Sequence, residues 1–297
     1  MRYPRRQFPH ARQRGSVIVL VLVLVILMTF IVTAFLEEAT SKIKYYGLFH
    51  NRDDLRVDAY SAMEIALARI SLFRDIEEAL WGPQQGWDTP LEDFGFQPAH
   101  ASRVEITFED ESARLPLADL EYATLLVLFD VLGFDLPEAE SLADGLLDWT
   151  DEDDLRRLHG FDGEDDYDDQ EPPYRPANAP IQAWDEFRLI KPFNTLFWDE
   201  EGRPDPRWNQ FKEAVSLYHS GPVNLNQANA TVLAVLEEQR LVDSRAFHTY
   251  KSGVDGTMGT EDDRLIRSAE TGAIIRESGV VGTEVQLLRV KATAIRG

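Results

Sequence analysis

A run of twenty uncharged residues near the N-terminus, Val17–Leu36, constrains the fold more than any other feature of the sequence. As a helix this run is roughly 30 Å long at about 1.5 Å per residue, which is enough to cross a bilayer. A secretory signal has a shorter apolar region, about 7–15 residues, and a small-x-small cleavage site after it. Here Glu37 and Glu38 follow instead. We therefore expect a membrane-spanning segment. The five arginines before it predict a cytoplasmic N-terminus, with the rest of the chain across the membrane.

The helical pattern continues beyond this run. Between Ser16 and Trp81 there is no proline, and Gly47 is the only glycine. An apolar stripe at spacings of three and four residues predicts one helix from about 16 to 80, roughly 100 Å long. Its members are Ala59, Met63, Ala66, Ile70 and Phe73. Such continuity is typical of a subunit that packs by its stem into a helical bundle.

The net charge and the absence of cysteine exclude several classes of function. The net charge is −22, and a chain that began at Ser16 would carry 25 basic against 52 acidic residues. This charge argues against binding to nucleic acid, which rewards basic surfaces, and favours metal cations or basic partners. Simple solubility is the alternative. The absence of cysteine excludes disulfides, thiol nucleophiles and thiolate metal sites.

Alternation of apolar and polar residues predicts strands at 103–111 and 286–295, with a shorter candidate at 271–277. The region between, about 117–250, is predicted to be helical. Its expected boundary residues are Gly133 and Gly221 as helix stops, Pro137 near a helix start, and Asn226 as an N-cap. The helix after Asn226 is expected to bury Ala230, Leu233, Ala234 and Leu236. Residues 82–100, rich in Gly, Pro and polar residues, predict a loop.

An acidic cluster interrupts the helical region. Eleven acidic residues lie between Asp151 and Glu171, and such a segment is either disordered or gathered by a cation. Nearby aromatic residues and the Pro172-Pro173 pair favour an ordered cation site, and hard oxygen ligands suit calcium. No EF-hand fits, because Tyr167 takes the place of the required glycine in a loop that starts at Asp162.

A second acidic loop, 255–263, resembles the Asp-Gly-x-x-Gly-Thr-x-Asp-Asp loops of many bacterial surface proteins. It offers Asp255, Glu261, Asp262 and Asp263 as further metal ligands, with a hydrated turn as the alternative. No enzyme is predicted, because the six histidines are scattered and no His-Glu-x-x-His, Gly-x-Ser-x-Gly or Walker motif occurs. A hydrolase built on the carboxylates is the remaining catalytic alternative.

The start of the chain resembles a type IV pilin-like (class III) signal. A basic leader, Gly15, the small residue Ser16 and an unbroken apolar helix follow one another as they do in that class. The resemblance implies that prepilin peptidase cuts between Gly15 and Ser16, leaving the helix on the mature protein with a methylated N-terminus. An uncleaved anchor is the alternative.

Five ordered motifs over about 15–240 resemble the general secretion pathway protein K family, the large minor pseudopilin of type II secretion. The motifs are DESARLPL (110–117), LLDWTDEDD (146–154), YRPANAP (174–180), WDEFRLI (184–190) and VNLNQANATVLAVL (223–236). The chain departs from the family at Asp162-Gly163 and at Lys191-Pro192, and residues 250–297 match poorly.

The resemblance implies an α+β fold, with a pilin-like long helix, a small antiparallel sheet and a large helical domain inserted into the sheet region. The implied divisions are a leader (1–15), a membrane stem (16–37), helix continuation with the first strand (38–116), the inserted domain (117–250) and returning strands (251–297). It also implies calcium at Asp151, Asp153, Glu164 and Asp165, with Asp148 and Asp166 in reserve.

The implied function is a minor pseudopilin at the tip of a periplasmic pseudopilus, in the inner membrane. Expected partners are minor pseudopilins of the I, J and H types, the major pseudopilin and prepilin peptidase, and no nucleic acid. Leu20 is the fifth residue from Ser16, where most pilin-like proteins carry a glutamate, and the protein K family resembles this chain in lacking it. A membrane-anchored periplasmic calcium-binding adhesin or interaction domain, outside any pseudopilus, is the alternative.

Overall fold

The computed structural model describes residues 14–101, 103–152, 155–159, 167, 173–260, 262–267, 271–277 and 279–296. The chain forms two compact units. The first comprises Met1–Tyr60, Pro98–Val104 and Ala294–Gly297, and the second comprises Ser61–Gln97 and Glu105–Thr293.

Helix α1, Arg14–Glu77, is 64 residues long and confirms the predicted continuous helix. It ends where Glu78 takes a left-handed φ of 66°. Within its apolar part the hydroxyls of Thr29 and Thr33 donate to the carbonyl oxygens of Val25 and Thr29, so these polar groups are satisfied inside the helix. Among the described residues, α1 is long and apolar enough to cross a membrane.

In the first unit, Asp58 of α1 holds the segment that precedes the first strand. Its buried carboxylate accepts hydrogen bonds from the backbone N–H groups of Ala99, His100 and Ala101. The ring Nδ1 of His100 lies 3.2 Å from the same carboxylate. A charged acceptor with several donors is a strong local clamp.

The sheets are small. Strands β1 (Arg103–Asp110) and β6 (Leu288–Ile295), both predicted from their alternating patterns, pair with each other. Two shorter parallel pairs join β2 (Leu115–Pro116) to β3 (Val215–Ser216), and β4 (Val223–Asn224) to β5 (Val281–Gly282). The strand predicted at 271–277 is wrong. The carbonyl of Thr271 accepts from the N–H groups of Ile274 and Ile275, which closes a tight helical turn over Thr271–Ala273.

The further helices in the described residues are α2 (Pro90–Asp93), α3 (Tyr122–Val131), α4 (Leu136–Thr150), α5 (Lys191–Phe197), α6 (Pro206–Ala214), α7 (Ala230–Glu238) and α8 (Ser244–Lys251). Together with the small sheets they confirm the predicted α+β class. The predicted loop at 82–100 contains α2 and a 3-10 turn at Pro83–Gln85. Helix α3 ends just before Gly133, whose φ of 87° suits the residue after a helix C-cap. Helix α4 begins with a capping box between Asp135 and Glu138.

Two helix boundaries differ from the prediction. Helix α6 stops at Ala214, well before Gly221, because the next two residues form β3 beside β2. The N-cap of α7 is Asn229, whose side chain accepts from the N–H of Val232, and Asn226 has another role. This shift also changes the buried face of α7, which consists of Val232, Leu233, Val235 and Leu236, while Ala230 is exposed and Ala234 only partly buried.

An aromatic core supports α4. Helix α3 packs against α4 and α7, and α4 packs against α5. Rings from α3, α5, α6 and the 3-10 helix Trp184–Arg188 meet between these helices, in stacked and edge-to-face pairs at centroid distances of 5.0–6.0 Å. They are those of Phe129, Phe187, Phe193 and Phe211, all fully buried. Each aromatic pair adds about 0.5–1.5 kcal/mol beyond its buried area.

Candidate cation site at the end of helix α4

Three acidic residues lie along one face of the last two turns of α4. Asp144, Asp148 and Asp151 are spaced by four and three residues, which places them on the same side of the helix. Asp144 and Asp148 are buried, and Asp151 is the C-cap. Glycine is needed at position 145, because a Cβ there would come within 2.5 Å of Cγ of Pro192 on α5. The close packing of α4 on α5 therefore fixes where this acidic face lies.

The segment 155–159 folds back onto this face. The N–H of Arg157 donates to both carboxylate oxygens of Asp148, at 3.2 and 3.1 Å, and the N–H of His159 donates to Asp144 at 3.0 Å. The guanidinium of Arg157 lies between two acids, with Nε 3.4 Å from Asp148 Oδ1 and Nη2 3.5 Å from Asp151 Oδ2. The ring of His159 lies 3.3 Å from Asp144.

The electrostatics of Asp148 follow from its position. Burial raises the pKa of its carboxyl group to about 6. The hydrogen bond from the Arg157 N–H lowers this pKa, and the neighbouring charge of Asp151 raises it further. A buried carboxylate among other carboxylates is costly unless a cation compensates it. In this arrangement the cation is Arg157.

Aromatic contacts hold Tyr167, the described residue within the stretch 160–172. The ring of Tyr167, which is 1% exposed, packs edge-to-face on Trp149 at 5.7 Å and lies 4.9 Å from the ring of Tyr174. The indole N–H of Trp149 donates to Glu186 at 3.0 Å, and the hydroxyl of Tyr174 donates to the carbonyl of Leu189 at 2.9 Å. Tyr167 is therefore attached to the helical core.

Of the predicted ligands, the structure brings Asp148 and Asp151 together through Arg157. Asp153, Glu164, Asp165 and Asp166 lie outside the described residues. Within the part of the chain that is described, no group of three or more His, Asp or Glu side chains is arranged to hold a metal. Sequence reasoning missed Asp144, although its four-residue spacing from Asp148 on a helix was a usable signal.

In the second acidic loop the described carboxylates bind backbone. Asp262 accepts from the N–H groups of Val254 and Asp255, and Asp263 accepts from that of Gly259. The Thr260 hydroxyl and these amides lower the pKa of Asp262. Glycine suits the positive φ values of 72° and 87° at positions 256 and 259. These hydrogen bonds are those of a turn that is stabilised by its own residues. Glu261 lies outside the described residues, so metal binding by this loop stays a prediction.

Residues 110–200 match the model of the family described as type II secretion system (T2SS), protein K. The match covers about a third of the chain. The resemblance inferred from the motifs is thereby confirmed. The matched residues contain four of the five motifs, the acidic face of α4 and the segment 155–159 that folds onto it.

The crystal structure of the GspK–GspI–GspJ complex from the type 2 secretion system of enterotoxigenic Escherichia coli contains a chain of similar fold. The TM-score is 0.54 at 19% sequence identity, and the match covers 84% of this chain and 88% of that chain. This similarity supports the predicted pilin-like architecture. No curated protein matches the chain.

Buried contacts explain the acidic pair that opens the first motif, DESARLPL (110–117). Glu111 is buried, pairs with Arg289 of β6 at 2.6 Å and with Arg114 at 3.1 Å, and accepts from the hydroxyl of Ser216 on β3 at 2.6 Å. The preceding Asp110 accepts from the side-chain amide of Asn224 on β4 at 2.7 Å. The two acids at the end of β1 therefore tie β1 to three other strands.

Proposed function

We propose that this chain is a minor pseudopilin of a type II secretion system, at the tip of the pseudopilus, where it initiates or caps assembly and supports export across the outer membrane. The observation that carries the proposal is the match of residues 110–200 to protein K. The unbroken helix α1 adds support, because it runs from the apolar stem to Glu77 without interruption.

The partners follow from the same proposal. The solved chain of similar fold comes from a complex named for GspK, GspI and GspJ. We propose minor pseudopilins of the I, J and H types, the major pseudopilin and prepilin peptidase as partners of this chain. Its role is assembly without catalysis. The arginine-rich leader supports an inner-membrane protein with a cytoplasmic N-terminus and its bulk in the periplasm.

Incubation of the full chain with prepilin peptidase is expected to give a mature protein that begins at Ser16. N-terminal sequencing and intact-mass measurement detect the loss of the leader. A Gly15→Leu variant is the matched control and is expected to stay uncut, because it changes the proposed cleavage position and leaves the apolar run intact. A parent chain that stays uncut, or is cut elsewhere, would contradict the proposal and favour a membrane-anchored domain outside a pseudopilus.

Calcium binding is the second part of the proposal. The ligands would be Asp151, Asp153, Glu164 and Asp165, with Asp148 and Asp166 in reserve. Two of these carboxylates, Asp148 and Asp151, lie together at the end of α4, where Arg157 contacts both. Hard carboxylate oxygens are the ligands that calcium prefers. A bound ion would join the end of α4 to the acidic segment.

Removal of calcium is expected to lower the melting temperature of the full chain in detergent. At free calcium of 100 times Kd, mass action stabilises the folded state by about 2.7 kcal/mol, which corresponds to roughly 5–10 °C for a chain of this size. Thermal melts with calcium and with chelator measure the shift. A variant with both Asp151→Asn and Asp153→Asn is expected to melt alike in the two conditions. Identical melts of the parent chain would count against this site.

A further inference from the structure

A cleft lies beside strand β1 in the second compact unit. It consists of two hollows, with volumes of about 340 and 290 Å³, and both are lined by Asp110 and Gln227. Strand β1 and the turn at 83–88 line the larger hollow, and the ends of α6 and α7 reach the smaller one through Glu213 and Asn229. Pockets that bind ligands have volumes of roughly 300–1,000 Å³. The larger hollow has the volume of such a pocket.

The lining of the larger hollow has two kinds of surface. One is polar and includes the carboxylates of Asp88 and Asp110 and the hydroxyl of Thr107. The other is apolar and consists of Pro83, Trp87, Ile106, Phe108, Val285 and Leu288. Phe108 is fixed by the buried ring of Trp87, which it meets edge-to-face at 5.2 Å. A hollow of this kind suits an amphipathic side chain, whose stem lies on apolar surface while its charged end reaches a polar group.

The sign of the charge in the cleft selects the ligand. Four acids line the two hollows, against one basic residue, Arg114; the acids are Asp88, Glu109, Asp110 and Glu213. Arg114 is already paired with Glu109 at 3.4 Å and with Glu111 at 3.1 Å. In the described part of the chain, no basic side chain forms an ion pair with the other three acids that line the cleft. The cleft is therefore complementary to a positive charge.

Asp110 is fixed where the two hollows meet. Its Oδ1 accepts from the N–H of Ser112 at 2.9 Å, and its Oδ2 accepts from the side-chain amide of Asn224 at 2.7 Å. Burial raises the pKa of Asp110, although these hydrogen bonds lower it. A cation that entered the cleft would favour the charged form of this carboxyl group. Asp88 and Glu213, by contrast, are exposed.

We propose that this cleft binds a lysine or arginine side chain of a partner subunit. The aliphatic stem of that side chain lies on Ile106 and Phe108, and its charged end lies at Asp110, with Asp88 and Glu213 adding to the attraction. The inference rests on the proposed function, which supplies the partners. A surface of matched charge also steers the approach of the partner and rejects an acidic one.

The test measures the affinity of the full chain in detergent for the I- and J-type minor pseudopilins of the same system. A variant with both Asp88→Asn and Glu213→Gln is expected to bind about three- to tenfold more weakly, because two attractions at an exposed rim are lost. Its affinity is also expected to fall less steeply with added sodium chloride than that of the parent. Biolayer interferometry at several salt concentrations measures both quantities. Asp110 stays unchanged, since it also holds Asn224.

Asp130→Asn combined with Glu238→Gln is the matched control. It removes the same number of charges from exposed acids on α3 and at the far end of α7, so the affinity of the parent is expected to be retained. Thermal melts check that each variant is as stable as the parent. Hydrogen exchange followed by mass spectrometry locates the contact, and we expect protection of 83–88 and 105–110 in the complex.

Weaker binding confined to the Asp88/Glu213 variant, together with protection of these two segments, supports the proposed cleft. An unchanged affinity of this variant, or a complex in which neither segment is protected, overturns the inference and leaves the proposed function standing. Equal losses in the variant and the control overturn it in favour of a general effect of net charge. A parent chain that binds neither pseudopilin overturns both the proposed partners and this inference.

Discussion

Replacement of Asn226 by alanine is expected to lower the free energy of unfolding by about 3–5 kcal/mol. The Asn226 side chain is buried, and its Nδ2 donates to the carbonyl oxygens of Ile266 and Thr283, both at 2.9 Å. Its Oδ1 accepts from the N–H of Ile266 at 2.8 Å. Alanine would leave three buried backbone groups without a partner, and each such group costs about 1–3 kcal/mol. Urea denaturation followed by tryptophan fluorescence measures the loss.

Asn229→Ala is the matched control for this prediction. Asn229 caps α7 and also donates to the carbonyl of Glu213, at the helix surface, and loss of an N-cap costs about 1 kcal/mol. Asn226→Asp keeps the shape but loses both donated hydrogen bonds, so it should be destabilised like Asn226→Ala. If Asn226→Ala lowered the free energy of unfolding no more than Asn229→Ala does, the buried hydrogen bonds of Asn226 would not have the proposed importance. The N-cap role predicted from the sequence would then regain support.

From the tip position proposed above, replacement of Leu20 by glutamate is expected to redistribute the protein along the pseudopilus. A carboxylate inside the hydrocarbon is costly and needs a partner, taken to be the N-terminal amine of a neighbouring subunit. A subunit at the tip has no neighbour above it, so an apolar residue at this position avoids an unpaired buried charge. With glutamate the chain gains the acidic residue that the resemblance assigns to most pilin-like proteins at this position. The measurement is the ratio of this chain to the major pseudopilin in sheared fibres, which should rise.

Leu20→Gln and Leu24→Glu are the controls for the tip position. Glutamine has the shape of glutamate without its charge, and Leu24→Glu places the same charge one helical turn further along the stem. Neither is expected to raise the ratio. Fibres in which Leu20→Glu and the parent occur in equal proportion would show that the missing acid does not determine the place of the subunit.

Local patterns in the sequence were enough to predict α1, β1, β6 and the start of α4. An uninterrupted apolar and then amphipathic period specifies α1, because its hydrogen bonds close within the segment itself. Alternation over eight residues specifies β1 and β6, and the capping box of Asp135 and Glu138 satisfies the first turn of α4 from within four residues. The family resemblance rested on the same kind of local signal, several short motifs in order.

Contacts between distant residues decided what the local patterns left open. Asn226 and Asn229 are equally good N-caps by residue type, but Ile266 and Thr283, 40 and 57 residues further along the chain, bind the first and leave the second for α7. The apolar residues of 271–277 satisfy an alternating pattern, yet a tight turn at Thr271 uses the N–H groups that a strand would have needed.

For the candidate site, too, some features could be predicted from the sequence and others only from the tertiary structure. From the sequence alone came its chemistry, a dense group of carboxylates beside aromatic anchors that suits a hard cation, and the length and continuity of the stem. Only the tertiary structure decided that Asp144 and Asp148 are buried and that Arg157 returns to lie between Asp148 and Asp151. The reason is physical: composition and periodicity report the charge and exposure preference of each residue, whereas the partner of a buried charge depends on which segments the packed core brings together.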